Sequence, residues 1–318
     1  MVSRRVVSLL SFAVGLALTL SYAASEGDRS FSTAGAPRQV TTAPDPSRDL
    51  VYVCPMDPDV RSHAPGVCPR CGMKLTGNIP DPVEFHLDLT VTPEPPQAGQ
   101  PASLEFVVHD PWKDRTVKNF IVIHEKLFHA FVVSQDLEFF MHGHPMQTAD
   151  GAFHYPIVFP KAGMFRILGD FYPDGATPQL IAKTIVVPGT PPSPVTLDRD
   201  YSTKTGENLR ASFATIPTQP VAGGRTQMRF TIDPGDGFEK YLGAWSHMLA
   251  ASDDLIDLMH RHPFLADGGP QVEFEVNFPR ARVYRVWVQF QRRGVLNTVH
   301  FDVPVKQQEE AALAATAK

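Results

Sequence analysis

His129-Ala130-Phe131-Val132-Val133-Ser134-Gln135-Asp136-Leu137-Glu138-Phe139-Phe140-Met141-His142-Gly143-His144-Pro145 recurs without a gap as His247-Met248-Leu249-Ala250-Ala251-Ser252-Asp253-Asp254-Leu255-Ile256-Asp257-Leu258-Met259-His260-Arg261-His262-Pro263. Eight of the seventeen positions are identical, which points to a tandem duplication. The match extends both ways. Phe159-Pro160-Lys161-Ala162 pairs with Phe278-Pro279-Arg280-Ala281, and Phe165-Arg166 and Phe171 pair with Tyr284-Arg285 and Phe290. Upstream, Ala98-Gly99 and Phe106 pair with Ala222-Gly223 and Phe230. The offset between copies drifts by only a few residues, so loops change length inside one architecture.

Within the first copy, apolar residues alternate. Phe85, Leu87 and Leu89 do so, then Leu104, Phe106 and Val108, then Phe120 and Val122. Phe128 to Ser134, Phe153 to Phe159, Met164 to Phe171 and Leu180 to Val187 follow. Period two in β-branched and aromatic residues, broken by Pro and Gly, predicts antiparallel sheet. Short strands at this density predict an Ig-like β-sandwich. The expected fold class is therefore mostly β. It comprises a small cysteine metal-knuckle module and two tandem Ig-like antiparallel β-sandwiches, at residues 79–190 and 191–306. The junction falls in Pro188 to Thr205, where Pro191, Pro192 and Pro194 read as a short spacer. The tail, 307–318, is rich in Glu and Ala and reads as a frayed helix.

The composition agrees. Of 318 residues, 43% are hydrophobic and 20% charged, which suits packed domains and not a disordered chain. Thirty prolines favour turns and edge strands over long helices. A net charge of -5 gives no electrostatic ground for nucleic-acid binding.

The first 23 residues read as a signal peptide. Arg4 and Arg5 precede an apolar run from Val6 to Leu20, and Ser21-Tyr22-Ala23 is a small-x-small cleavage pattern. The run is shorter than the roughly 20 residues that a membrane helix needs. The expected location is the periplasm or the exterior, with no stable transmembrane span after cleavage. Residues 24–49 read as a flexible linker.

Disulfides are allowed in such a compartment. Yet the only cysteines are Cys54, Cys68 and Cys71, an odd number confined to residues 50–78, so they cannot staple the large domains. Cys68-Pro69-Arg70-Cys71-Gly72 has the form of a metal knuckle: a tight turn lets two thiolates face one ion, and Gly72 can take the positive φ such a turn needs. Cys54 supplies a third sulfur. Soft ligands select Cu(I), zinc or similar ions. Met56 and Met73 are the nearest thioethers, and Asp57 and His63 the nearest harder donors. A unit this small has little core, so a bound ion would contribute much of its folding energy. Two alternatives are a disulfide with a spare thiol and a redox dithiol; the second lacks its usual thioredoxin-like setting.

Residues 51–75 resemble the heavy-metal-binding domain of exported copper and silver efflux adaptors and of some copper-transporting ATPases. The resemblance rests on Tyr52, Cys54, Pro55, Met56, Pro58, Cys68, Pro69, Cys71, Gly72, Met73 and Leu75. Asp57 stands where that family has His. The resemblance implies a soft heavy-metal ion, with copper first and zinc second. It does not imply transport by this chain. The duplicated part is similar to uncharacterised exported bacterial proteins with Ig-like repeats, which supports fold and location only.

The repeated histidines form a second candidate. His142 and His144, like His260 and His262, lie two apart, so on a strand both rings share a face. His129 and His247 can return from the neighbouring strand. Two or three imidazoles suit Cu(II), zinc or nickel. The competing interpretation is structural, with Asp136 fixing a loop and Met141 and Leu137 filling the core. Met141 and Met259 are expected to face away from the rings, and His124 and His154 to lie in solvent or behind the ligands. Asp253 to Met259 is the one sizeable helix-like segment near a histidine.

No motif predicts catalysis. The expectation is a non-enzymatic, exported soft-metal protein, binding Cu(I) or zinc, that sequesters its ion or hands it to a metal-efflux or copper-handling partner. Two alternatives remain: an interaction scaffold with a zinc- or disulfide-stapled cap, and a histidine-based copper or zinc enzyme.

Overall fold

The computed structural model describes residues 51–54, 60–69, 72–78, 84–111, 115–174, 176–264 and 267–308. The signal peptide, the linker at 24–49 and all but the start of the tail lie outside them.

The N-terminal module is a three-stranded antiparallel sheet. Its central strand is β1 (Val51–Val53), flanked by β2 (Arg61–Ser62) and β3 (Thr76–Asn78).

The next eight strands are β4 (His86–Thr92), β5 (Pro101–His109), β6 (Phe128–Ser134), β7 (Phe140–Gly143), β8 (Met146–Gln147), β9 (Phe153–Val158), β10 (Gly163–Phe171) and β11 (Gln179–Val187). They form two antiparallel sheets, β4-β5-β9-β8 and β11-β10-β6-β7. The first, second and fifth long strands on one side and the third, sixth and seventh on the other are the immunoglobulin-like arrangement. Leu87, Leu104, Phe106 and Val108 from one sheet meet Phe128, Val132, Phe165 and Ile167 from the other.

The second copy repeats this. Its strands are β12 (Lys204–Thr205), β13 (Arg210–Ile216), β14 (Arg225–Asp233), β15 (Phe238–Glu239), β16 (His247–Ser252), β17 (Leu258–Arg261), β18 (Gln271–Asn277), β19 (Val283–Arg292) and β20 (Val295–Pro304). The sheets run β12-β13-β14-β18 and β15-β19-β16-β17, with β20 also on β19. Small details repeat too. Gly99 and Gly223 both sit at φ 73 with open space around them, so backbone conformation and not crowding demands glycine. Each donates its N–H to the phenylalanine of the Phe-Pro pair, Phe159 or Phe278.

The two sandwiches are stacked. Along β6, Phe128, Ala130 and Val132 fill the first core, while Phe131 and Val133 join a separate cluster with Leu168, Leu249, Ala251, Leu255 and Trp287. Along β16, Met248 and Ala250 face their own core and Leu249 and Ala251 face the shared cluster. Both strands are therefore buried on both faces. Arg285 reinforces the contact. It is 6% exposed, makes a bidentate pair with Asp302, and donates across the boundary to Glu138 and the Leu137 carbonyl.

Three expectations are corrected. Asp253 to Met259 is a turn leading into β17, not a helix. Ser252 Oγ bonds Asp254 at 2.6 Å and accepts the Asp257 N–H, and Leu255 sits at φ 57, which no helix allows. Phe120 and Val122 do not make a strand; Phe120 forms an isolated bridge to Pro173 and packs edge-on against Phe153. The proline-rich junction is not a free spacer. Val195 and Leu197 pack into the shared cluster, and Gln135 donates to the Pro192 carbonyl. Among the described residues, no helix is long and apolar enough to cross a membrane.

Candidate metal centres

In the cysteine module, Cys54 and Cys68 are buried at 0% and 2% exposure and share one cluster with Leu75, Tyr52 and Val60. The backbone holds them there. Cys54 N–H donates to the Val60 carbonyl, Cys68 N–H to Met73 and Leu75 N–H to Gly66. Gly72, at φ 74, returns its N–H to the Cys68 carbonyl at 2.9 Å, which is the expected knuckle turn. Met73 presents an exposed side chain. His63 reaches Asp174 of the first sandwich at 3.2 Å. Cys71, Met56 and Asp57 lie outside the described residues. Two sequence-predicted cysteines thus share one cluster, Cys68 on a turn whose form suits thiolate ligation of a soft ion and Cys54 from the end of β1.

The histidines converge more fully than their sequence spacing required. His129, His142 and His144 form one group, and His247, His260 and His262 another; within each, the candidate ligand nitrogens lie within 4.8 Å of one another. The strands explain this. His129 precedes Ala130 on β6 and His142 lies on β7, where Ala130 pairs with Gly143 and Phe131 with His142. Alternation turns both rings to the inter-sandwich face, whereas Met141 packs on the first core and Met259 on the second, as expected. The triads therefore face each other. Ring centroids of His142 and His247 are 5.4 Å apart, those of His142 and His260 6.0 Å, and those of His129 and His247 6.2 Å.

Hydrogen bonds fix the rings. His129 Nε2 lies 3.0 Å from the Ile123 carbonyl and His247 Nε2 lies 2.9 Å from the Tyr241 carbonyl. A carbonyl only accepts, so each Nε2 carries the proton and each Nδ1 turns a lone pair inward. The two middle histidines are held from across the boundary. His142 Nδ1 donates to Gln289 Oε1 at 2.7 Å, and His260 Nδ1 donates to Asp170 Oδ2 at 2.5 Å. Asp170 and Gln289 both immediately precede a matched phenylalanine, so the support is pseudo-symmetric. His144 Nε2 and His260 Nε2 are buried and have no hydrogen-bond partner.

Burial keeps these imidazoles neutral. It lowers His144 to about 4 and His247 to about 3, and it lowers His142, His260 and His262 strongly, with neighbouring histidines adding to the effect. Burial also pushes Asp170 up to about 6.

For His124 the structure excludes one of the two expected places. The residue does not lie in solvent: its ring sits 3.7 Å from that of His262 and 5.4 Å from that of His247. It occupies a tight turn with His124 at φ 47 and Glu125 at φ 64, matched in the second copy by Leu242 and Gly243. Because Leu242 replaces it there, the repeat gave no signal. His154 stands apart, 3.7 Å from Glu105. The structural role considered for Asp136 is real: it binds Ser134 Oγ and Lys161, as Asp254 binds Ser252 and Arg280. Leu137 fills the inter-sandwich cluster and not the sandwich core.

Residues 51–78 match the family model described as a heavy metal binding domain. Residues 83–187 and 206–307 each match the model described as a domain of unknown function, DUF8832. No curated protein matches the chain. Among solved structures, the adhesin InvE of Yersinia pseudotuberculosis aligns at 10% identity over 69% of this chain and 60% of its own, with a TM-score of 0.21. The Escherichia coli adhesin FdeC aligns at 12% identity over 73% and 67%, with a TM-score of 0.24. Fibronectin(III)-like modules of CbhA from Clostridium thermocellum align at 10% identity over 70% and 96%, with a TM-score of 0.20. The chain thus spans about three fifths of the length of InvE.

Proposed function

The chain belongs to the DUF8832 family, whose domain it carries twice behind a heavy metal binding segment, and from that premise we propose that it is an exported, non-enzymatic carrier of a soft heavy-metal ion. Copper as Cu(I) is the first candidate and zinc the second. The observation that carries this reading is the pair of buried cysteines in one cluster, Cys54 tied to the Val60 carbonyl after β1 and Cys68 on the turn closed by Gly72. Cys71 completes a three-thiolate set, with Met56 and Met73 as auxiliary donors. Soft thiolate donors suit exchange of the ion with another protein's soft ligands. Sequestration or handover to a metal-efflux or copper-handling protein, the setting of the efflux-adaptor resemblance, follows from that. Export to the periplasm or beyond rests on the leader at residues 1–23. The working division is a module at 50–78 and sandwiches at 79–190 and 191–306.

The test is elemental analysis with thiol titration on protein purified from its native compartment, for wild type and for a Cys68→Ser, Cys71→Ser double variant. Carriage predicts a soft ion that is retained by wild type, exchanged by excess Cu(I) and lost from the variant. Tight zinc indifferent to Cu(I) would instead support a stapled cap on a scaffold. A second reading, a histidine-based copper or zinc enzyme, is favoured by the convergence of His129, His142 and His144. Its activity would survive serine substitution of all three cysteines, whereas carriage would not.

A further inference from the structure

We infer that the facing histidine triads are a paired metal site, separate from the thiolate module, which takes two imidazole-preferring divalent transition-metal ions at the boundary between the sandwiches. A neutral imidazole carries one N–H. His129 uses its own at Nε2 on the Ile123 carbonyl, and His142 uses its own at Nδ1 on Gln289 Oε1. His129 Nδ1 and His142 Nε2 therefore confront each other as two lone pairs, 3.1 Å apart. With the Gln289 amide oxygen turned to His142 Nδ1, a cation between the two lone pairs reconciles that contact. A proton there would be a buried charge, which the surroundings disfavour. A metal ion fits. Nitrogens about 2.0–2.1 Å from a tetrahedral centre lie roughly 3.3–3.4 Å from each other.

The second triad fixes its first and middle histidines in the same tautomers. His247 spends its proton on the Tyr241 carbonyl and His260 on Asp170, leaving His247 Nδ1 and His260 Nε2 as inward lone pairs. His262 Nε2 is 3.0 Å from His247 Nδ1 and its N–H can donate there, so in this triad the case rests on His260. His260 has a side chain only 2% exposed, yet its Nε2 has no partner, and His144 Nε2 in the first triad is orphaned in the same way. Unpaired buried nitrogens are costly, and each triad has one aimed among its neighbours.

The supporting shell also has the form of a metal centre. Each outer ring nitrogen named above donates to a carbonyl, an amide oxygen or a carboxylate, which sets the tautomer and orients the lone pair. Gln289 orients a ligand of the first triad from the second sandwich, and Asp170 orients one of the second triad from the first sandwich. Neither triad is fully supported by its own copy, so the ions and the inter-sandwich contact reinforce one another. Neutral nitrogen donors without sulfur suit Cu(II), zinc or nickel, in contrast to the soft ion of the thiolate module.

The experiment uses the full chain with Cys54, Cys68 and Cys71 all changed to serine, so that failure of the thiolate reading cannot affect the result. Zn(II) and Cu(II) are added singly, and bound metal is counted after gel filtration. Two ions per chain are expected. His144→Asn and His262→Asn, at half-buried rings, are each expected to remove one ion, and the double variant both. Retention of no ion, or of one, by the unsubstituted histidine set would overturn the inference even if the variants fail to fold. So would two ions that neither substitution dislodges.

Discussion

Asp170, one residue from the end of β10 in the first sandwich, accepts a 2.5 Å hydrogen bond from Nδ1 of His260 in the second. His260 is buried, so its N–H has no water to fall back on. Asp170→Ala is expected to destabilise the chain by about 1–3 kcal/mol, the cost of stranding a buried donor. Denaturant unfolding measures it, and an unchanged midpoint would mean that the contact contributes nothing.

Trp287 stacks on Phe140 from the other sandwich at 5.1 Å and 11° between planes. Both belong to the shared cluster. Trp287→Ala removes the largest ring at the boundary and should cost about 3–5 kcal/mol. It should also separate the unfolding of the two sandwiches into distinct transitions. A single transition at the wild-type midpoint would count against a stacked pair.

Arg285 and Glu138 meet across the same boundary, but the two ends differ. Arg285 is 7% exposed in its side chain and Glu138 is 55% exposed. Arg285→Ala leaves Asp302, also buried, without its bidentate partner, and a loss of about 3–5 kcal/mol is expected. Glu138→Ala removes only an exposed partner, with an expected loss under about 1 kcal/mol. Equal losses for the two variants would refute this asymmetry.

The duplicated loop gives a pH signature. Arg280 grips Asp254 with two nitrogens and holds its carboxyl well below the usual carboxylate range, against the opposing effect of burial. A depressed carboxyl contributes stability above its unfolded pKa, about 3.9, and loses it as pH falls towards the folded value. Asp254→Asn should therefore be less stable than wild type at pH 7, and the gap should narrow below about pH 4. Urea midpoints at pH 7 and pH 3 compare the two; a gap that widens on acidification would contradict the assignment.

Much of this was legible in the sequence. The gapless repeat from His129 and His247 located β6, β7, β16 and β17 as pairs, and period-two alternation located most other long strands. Gly72 announced the knuckle turn. The stacking of the sandwiches was harder to read. Its one signal is continuous apolarity, as in Phe131-Val132-Val133 and Val286-Trp287-Val288, which marks strands buried on both faces. Asp253 to Met259 misled because its spacing fits a helix, while Ser252 and Asp254 capture the local N–H groups and force a turn. His124 was invisible because its place depends on a turn with two positive φ angles and on a contact between copies. The pairing of Asp170 with His260 and of Gln289 with His142 joins residues far apart in sequence, and no local pattern encodes it.

Anomalous diffraction from crystals of the metal-loaded full chain, collected above and below the copper and zinc absorption edges, addresses the central assignment most directly. Metal carriage by the N-terminal module predicts a peak bonded to the sulfurs of Cys54 and Cys68. A disulfide joining those sulfurs, with no anomalous density beside them, would contradict it.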